Sequence, residues 1–498
     1  MSISTTVKSI QDIMRKDVGV DGDAQRIGQL VWMLFLKIYD DREKEWETFD
    51  DDYRSPLPEH LRWRNWAADP EGDTGEKLKA FVDNTLFPGL QNLQAQGNDY
   101  RGLVIRNVFE DAYNYMKSGQ LLRQVINKIQ DGVDFNKSSE RHELGDLYEQ
   151  ILKDLQSAGN AGEFYTPRAV TEFMVNRVDP KLDETVMDPA CGTGGFLTGA
   201  IEHKRRNYVQ TPQDEETIAS TIHGIEKKPL PHLLATTNLI LHGIDTPSQI
   251  KHDNALSYPL ISWGPKHRVD TIIANPPFGG MEEDGVEDNF PQAFRTRETA
   301  DLFLTLFLQL LKKGGRAAVV LPDGFLFGEG MKTRLKEKLL EECNLHTIVR
   351  LPNGVFNPYT GIKTNLMFFT KGQPTETVWY YEHPYPEGYK NYSKTKPMRF
   401  EEFQTEIDWW GTEADGFAAR VETEQAWKVS IDEIRARNYN LDIKNPFQIE
   451  EEIHDPDELL ARYEQQQAEM QALRDELKTI LGEALAPKDE SEQARRSA

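Results

Sequence analysis

The 498-residue sequence predicts an α/β protein, with a mostly parallel, doubly wound sheet, a helical N-terminal domain and a C-terminal helical extension. Three observations predict it. Short apolar runs alternate with longer helix-period runs across residues 160–370, the pattern of strands and crossover helices in one sheet covered on both faces. Two of those apolar runs end in turns of distinctive composition, one Gly-rich and one Asn-Pro-Pro; sheets of this kind bind ligands at the carboxyl ends of their strands. Residues 1–155 read as helical, apart from a Trp-, Pro- and Asp-rich segment at 49–75 expected to form loop or short helices.

In chain order, residues 25–45 combine an apolar stretch with charged flanks, and residues 101–129 give two amphipathic runs broken near Gly119. Leu144, Leu147, Tyr148, Ile151 and Leu152 share one stripe of a further helix over 142–155. Strands are expected at 186–187, 220–225, 269–274, 316–321, 345–351 and 365–370. Helices are expected at 231–241 and 302–312, the second closed by Gly314-Gly315. After about 375 the texture loosens, with a compact patch at 429–443. From Asp455 the chain is acidic and Gln-rich. There Tyr463, Gln466, Met470, Leu473, Leu477 and Ile480 recur at spacings of three and four, a heptad-like seam. Such a seam packs either on its own domain or on a partner. The resulting divisions are a helical domain at 1–155, the sheet domain at 156–445, a partner-binding helix at 446–485 and a disordered tail at 486–498.

Composition narrows the function. The chain is long enough for two or three cores. Its most apolar early run, residues 30–38, contains Lys37 and falls well short of the roughly 18 residues of a membrane helix. It reads as a buried helix, too far from Met1 for a targeting signal. Two cysteines, Cys191 and Cys343, cannot build a cysteine-rich zinc site and suit a reducing cytoplasm. A net charge of -24 argues against a free-standing DNA binder, whose grip comes from Lys and Arg on phosphates. Any DNA contact is therefore confined to one face or shared with a partner.

The Gly-rich turn is Asp188-Pro189-Ala190-Cys191-Gly192-Thr193-Gly194-Gly195-Phe196-Leu197. Glycines between a strand and a helix let the backbone approach a ligand closely. The turn alone could serve a dinucleotide, with pyrophosphate on the helix N-terminus. Asp188 is unfavourable beside a pyrophosphate and suits instead a zwitterionic ligand bearing an amine or sulfonium. Glu226, closing the next strand, is placed to accept both ribose hydroxyls of a nucleoside. Asp253, with Asn254 and Ala255 after it, could bond the adenine edge of the same ligand. Upstream, Thr166 before Pro167 resembles an N-cap with Pro at the first helical position, while Glu163, Phe164, Tyr165 and Thr166 itself could wrap a methionine-like end.

Asn275-Pro276-Pro277-Phe278 directly follows an apolar strand. Adjacent prolines fix the backbone and remove its donors, leaving carbonyls as acceptors. A planar amine such as adenine N6 is a poor nucleophile because its lone pair is delocalised into the ring. Accepting its two hydrogens at Asn275 Oδ1 and the Pro276 carbonyl favours pyramidalisation, a stabilisation that grows towards the transition state. Phe278 can stack on the purine. This attack needs no strong general base, so His203, His223, His232 and His242 are expected as helix or core residues. Glu282-Glu283-Asp284 is expected to be solvated surface, and no metal cluster is read. The same loop would also serve a protein glutamine amide or an RNA base, and a catalytically silent cofactor-binding regulatory subunit is the remaining alternative.

Residues 188–197 together with Asn275–Phe278 resemble the cofactor and catalytic motifs of amino-group DNA methyltransferases acting on adenine. Gly162-Glu163-Phe164-Tyr165-Thr166-Pro167-Arg168 resembles the pattern of the modification subunits of type I restriction–modification systems. So do Phe35-Leu36-Lys37-Ile38, the run from Gly314 to Pro322 and the patch from Arg437 to Leu441, a resemblance covering about residues 5–480. It implies the S-adenosylmethionine-dependent methyltransferase fold, S-adenosyl-L-methionine as cofactor and a flipped-out adenine in double-stranded DNA as substrate. It also implies two copies with one specificity subunit, which packs on the C-terminal helices and reads the site, and a restriction subunit that can join them.

Overall fold

The computed structural model describes residues 3–94, 100–132, 148, 166–357, 360–393, 396–447 and single positions between 467 and 478. The chain divides into two compact units, Met1–Asn445 and Pro446–Ala498.

The first unit begins with helices around one central rod, Asp23–Phe49. Its residues from Leu30 to Tyr39 are buried on every face, as expected of a helix that is apolar all round. Further along, buried Asp40, Asp41 and Glu43 are each matched. Lys37 reaches Asp41 at 2.6 Å, Arg64 reaches Asp40 at 2.7 Å, and the Tyr53 hydroxyl donates to Glu43 at 2.9 Å. Lys37 lies on the rod itself, while the 49–75 segment supplies Arg64 from the short helix Trp63–Trp66 and Tyr53 from the loop before it. The two runs after residue 100 are the helices Arg101–Phe109 and Gly119–Gly132. Of the expected 142–155 helix only Tyr148 is described: it is helical and buried, and its hydroxyl donates to the Leu234 carbonyl at 3.0 Å.

The sheet has nine strands: β1 (Val186–Asp188), β2 (Ile222–Glu226), β3 (Ile250–His252), β4 (Val269–Ala274), β5 (Leu311–Pro322), β6 (Cys343–Arg350), β7 (Thr364–Lys371), β8 (Thr377–Glu382) and β9 (Ala426–Ser430). Their order is β3-β2-β1-β4-β5-β7-β6-β8-β9. Among the described strands only β7 and β9 run against the rest, so the sheet is mixed although mostly co-directional. Both faces are covered. Ile272 and Ile273 on β4, like Val319 and Val320 on β5, point into opposite cores, as the period-2 geometry of strands requires.

Some expected boundaries shift. The helix Thr299–Leu310 stops before Lys312, and Gly314-Gly315 lies inside β5 instead of closing the helix. Ser220 and Thr221 end the helix Pro212–Thr221, leaving β2 to start at Ile222. β3, β8 and β9 extend the sheet beyond the strands expected.

One helix, Pro229–Leu241, belongs to both halves of the unit. Leu233, Leu234 and Ile240 pack in the N-terminal core, whereas Ala235 and Leu239 pack in the core beneath β1 and β2. In the second unit, Met470, Leu473 and Leu477 of the heptad seam are helical and exposed. Tyr463, Gln466, Ile480 and the 486–498 tail lie outside the described residues. Among the described residues no helix is long and apolar enough to cross a membrane, and no cluster of potential metal ligands occurs.

Candidate active site

β1 sits between β2 and β4, where successive strands depart in opposite directions. That reversal opens a crevice at the carboxyl ends of the strands, and the two distinctive turns flank it. After β1 the Gly-rich turn folds back. The Cys191 N–H donates to the Ile225 carbonyl at 3.0 Å and the Gly194 N–H to the Cys191 carbonyl at 2.8 Å. Gly192 and Gly194 hold φ of 54° and 80°, which glycine adopts without a Cβ clash. The turn is also tied from below, where Asn238 Nδ2 donates to the Thr193 carbonyl at 3.2 Å. A Cβ on Gly194 would meet Leu239 at 3.2 Å and Ala235 at 3.3 Å. We expect Gly194→Ala to cost about 1–2 kcal/mol from the left-handed backbone alone, read as a lower midpoint in denaturant and weaker cofactor binding.

Asp188, Ala190, Gly192, Thr193, Gly195 and Phe196 line one cavity at this turn. Glu226, Asp253, Asn254 and Ala255 line it from the ends of β2 and β3, and Asn275 and Pro277 from the end of β4. Gly194 and Leu197 stand behind its wall, Leu197 in the core below. Pro276 is buried, and Phe278 is half-buried against both cores with its ring edge-on to Phe356. Glu163, Phe164 and Tyr165 lie outside the described residues.

The electrostatics are specific. Asp188 is buried and accepts one hydrogen bond, from the Ala190 N–H at 3.1 Å. Burial, with Glu226 nearby, pushes its carboxyl up to about 8. Glu226 accepts from the Gly192 N–H at 2.9 Å and the Lys228 N–H at 2.7 Å, so its carboxylate also shapes the Gly-rich turn. Asp253 accepts from the Tyr258 hydroxyl at 2.6 Å and the Asn254 N–H at 2.8 Å. The Cys191 thiol is pushed up by burial, in keeping with a packing residue.

At the β4 turn, Asn275 Nδ2 donates to Thr166 Oγ1 at 3.1 Å, while Asn275 Oδ1 is buried with no hydrogen-bond partner among the described residues. A buried unpaired acceptor is costly and marks a place where a donor binds. Thr166 lines the cavity but is not the helix cap expected. The following helix starts at Arg168 with Pro167 at its N-cap position, one residue later than read, which leaves the Thr166 hydroxyl to orient the asparagine amide.

Two further differences appear. Glu282 is not solvated: it is 8% exposed, and its Oε2 accepts from Lys227 Nζ at 3.1 Å and Asn254 Nδ2 at 3.3 Å. Glu283 and Asp284 are exposed as expected. His203 is on a helix as expected, whereas His242 follows the helix Pro229–Leu241 as its C-cap; both line the cavity, held by Asp179 at 2.8 Å and Glu202 at 3.2 Å.

A buried carboxyl for an ammonium or sulfonium, a carboxylate at the end of β2 and an unpaired amide oxygen fit a nucleoside sulfonium beside a planar amine. Fold and site together define an S-adenosylmethionine-dependent methyltransferase acting on an amino group. Comparison with known proteins makes the assignment specific. Residues 139–455 match the family described as N-6 DNA Methylase, and residues 3–129 match the HsdM N-terminal domain. The type I restriction enzyme EcoEI methylase subunit of Escherichia coli is 66% identical, over 98% of this chain and 99% of its own. The crystal structure of a modification subunit of a putative type I restriction enzyme from Vibrio vulnificus YJ016 superposes with a TM-score of 0.80 at 45% identity, covering 91% of this chain and 98% of that one. A chain from a structural study of type I R-M complex assembly and conformational transition matches at 34% identity and a TM-score of 0.80, over 98% and 99%. The chain belongs to the N-6 DNA methylase family, as a modification subunit of a type I restriction–modification system. Its activity is site-specific methylation of adenine N6 in DNA.

Proposed function

We propose that Asn275, Pro276, Pro277 and Phe278 activate and hold the target adenine, and that the Asp188–Leu197 turn with Glu226 and Asp253–Ala255 holds the cofactor. The observation that carries this reading is the buried Asn275 Oδ1, without a partner among the described residues, on the wall of the cavity that Asp188 and Glu226 also line. S-adenosylmethionine, when bound, supplies an electrophilic methyl group on a sulfonium. Asn275 Oδ1 accepts one N6 hydrogen of a flipped-out adenine, and the Pro276 carbonyl accepts the other. Thr166 keeps the amide oxygen facing inward by accepting from its nitrogen. Phe278 offers a face to the purine ring. Asp188 accepts from the amine end of the cofactor, Glu226 and Asp253 bind its nucleoside, and Glu163, Phe164 and Tyr165 wrap its methionine end.

On this reading residues 1–155 and 156–445 close together on DNA and 446–485 dock a specificity subunit. Two copies of this chain then serve one specificity subunit in the cytoplasm, and a restriction subunit joins the assembly. The net charge of -24 supports sharing the DNA grip with such a partner. Incubating the full chain with labelled cofactor and duplex DNA, with and without the specificity subunit, tests this. Label at adenine N6 that depends on the partner, in a complex of two copies to one by native mass spectrometry, is the expected result. Label on protein or RNA would overturn it.

A further inference from the structure

We infer that Glu282 is a positioning residue that ties the cofactor pocket to the loop beyond the target-base turn, so that cofactor occupancy is transmitted to that loop. This rests on the residue roles proposed above. Three separate segments meet at one buried carboxylate. Lys227 directly follows Glu226, Asn254 directly follows Asp253, and Glu282 lies seven residues beyond Asn275. Lys227 Nζ and Asn254 Nδ2 both donate to Glu282 Oε2, and all three residues line the cavity.

The chain around Glu282 is built to pass on a displacement. The Glu282 N–H donates to the Arg297 carbonyl at 2.9 Å, and Arg297 Nη2 donates back to the Glu282 carbonyl at 3.1 Å. Met281 bridges Glu298, and the Thr299 N–H donates to the Gly280 carbonyl at 3.2 Å. These contacts close residues 283–296 into a loop with a narrow neck. A second tie joins the loop to the same nucleoside-binding segment, for Asn289 Nδ2 donates to the Leu256 carbonyl at 3.0 Å. The loop carries Arg295 and its neck Arg297, and each of these exposed residues is ion-paired to an exposed aspartate. Any ligand that orders Glu226 and Asp253 therefore also fixes Lys227 and Asn254, and through Glu282 it fixes the neck. Glu282 is buried, and removing Lys227 leaves its carboxylate without that counter-charge.

The test is hydrogen exchange on the full chain, free and saturated with S-adenosylhomocysteine, for the native protein and for Glu282→Ala and Lys227→Gln. Lys227 is 41% exposed, so its substitution spares the fold if Glu282→Ala does not. The native protein should show slowed exchange at 222–228, 250–256 and 279–298 on binding. Both variants should keep the first two responses and lose the third. Retention of the 279–298 response in the variants, or its absence from the native protein, would overturn the inference. Asp188→Asn serves as the separate control: if it binds S-adenosylhomocysteine like the native chain, the failure lies in the assignment of the cofactor site.

Discussion

Replacing Asn275 with alanine should lower single-turnover methyl transfer about 10²–10³-fold, the effect of deleting one preorganised polar group aimed at developing charge. Cofactor affinity should stay within a few-fold of native. The asymmetry follows from the geometry. Asn275 Oδ1 has no partner among the described residues, whereas its amide nitrogen is already held by Thr166. The acceptor is thus kept in place without a substrate and contributes only when an N–H donor arrives. Thr166→Val should cost less than Asn275→Ala, because it frees the amide to rotate without removing it. Rapid-quench transfer assays beside calorimetric cofactor titrations separate the two effects. An Asn275→Ala enzyme that keeps native transfer would end the proposed role.

The second large effect is on cofactor affinity and its dependence on pH. The Asp188 carboxyl, pushed up to about 8 by burial, is mostly protonated in the free protein at neutral pH. An ammonium or sulfonium ligand favours the carboxylate, so binding should expel a proton. Affinity should then rise with pH up to about 8 and flatten above it. The binding enthalpy near neutrality should vary with the ionisation enthalpy of the buffer. Asp188→Asn should remove both dependences and weaken binding roughly 30- to 100-fold, the scale of one charge-assisted hydrogen bond. Stability of the free protein should move the other way. A carboxyl that titrates near 8 when folded and near 4 when unfolded makes stability fall as pH rises between those values. Asp188→Asn should flatten that fall. A variant that gains stability at pH 8 while losing its ligand would show that the site is held in a strained electrostatic state.

Much of this was legible from sequence because the informative residues are close together in the chain. β1, β4, β6 and β7 are buried on both faces and carry apolar stretches, such as Ile272-Ile273-Ala274 in β4 and Leu366-Met367-Phe368-Phe369 in β7, that stand out in the sequence. The Gly-rich and Asn-Pro-Pro turns announce themselves by composition. β3 was not legible: it has three residues, and Lys251 at its centre is exposed. β9 is short and interrupted by exposed Lys428, and the Trp379-Tyr380-Tyr381 core of β8 lies close to a Pro- and Lys-rich stretch. The polar ties were hidden by distance along the chain. Thr166 and Asn275 stand 109 residues apart, and Lys227 and Glu282 stand 55 apart. No local pattern marks either pair, so the bond between Thr166 and Asn275 and the burial of a glutamate read as surface emerge only in three dimensions.

The helix Pro229–Leu241 carries a consequence for how this protein can be taken apart. Leu233 and Leu234 are buried among the N-terminal helices, while the neighbouring Ala235 and Asn238 support the turn that holds Asp188. Two regions that sequence comparison separates thus share a single beam. Grafting the first 155 residues of a distant relative onto this chain would exchange one side of that beam without its mate. Such hybrids should lose the cofactor before they lose their DNA, and covarying the face of Leu233, Leu234 and Ile240 with the donor should restore it.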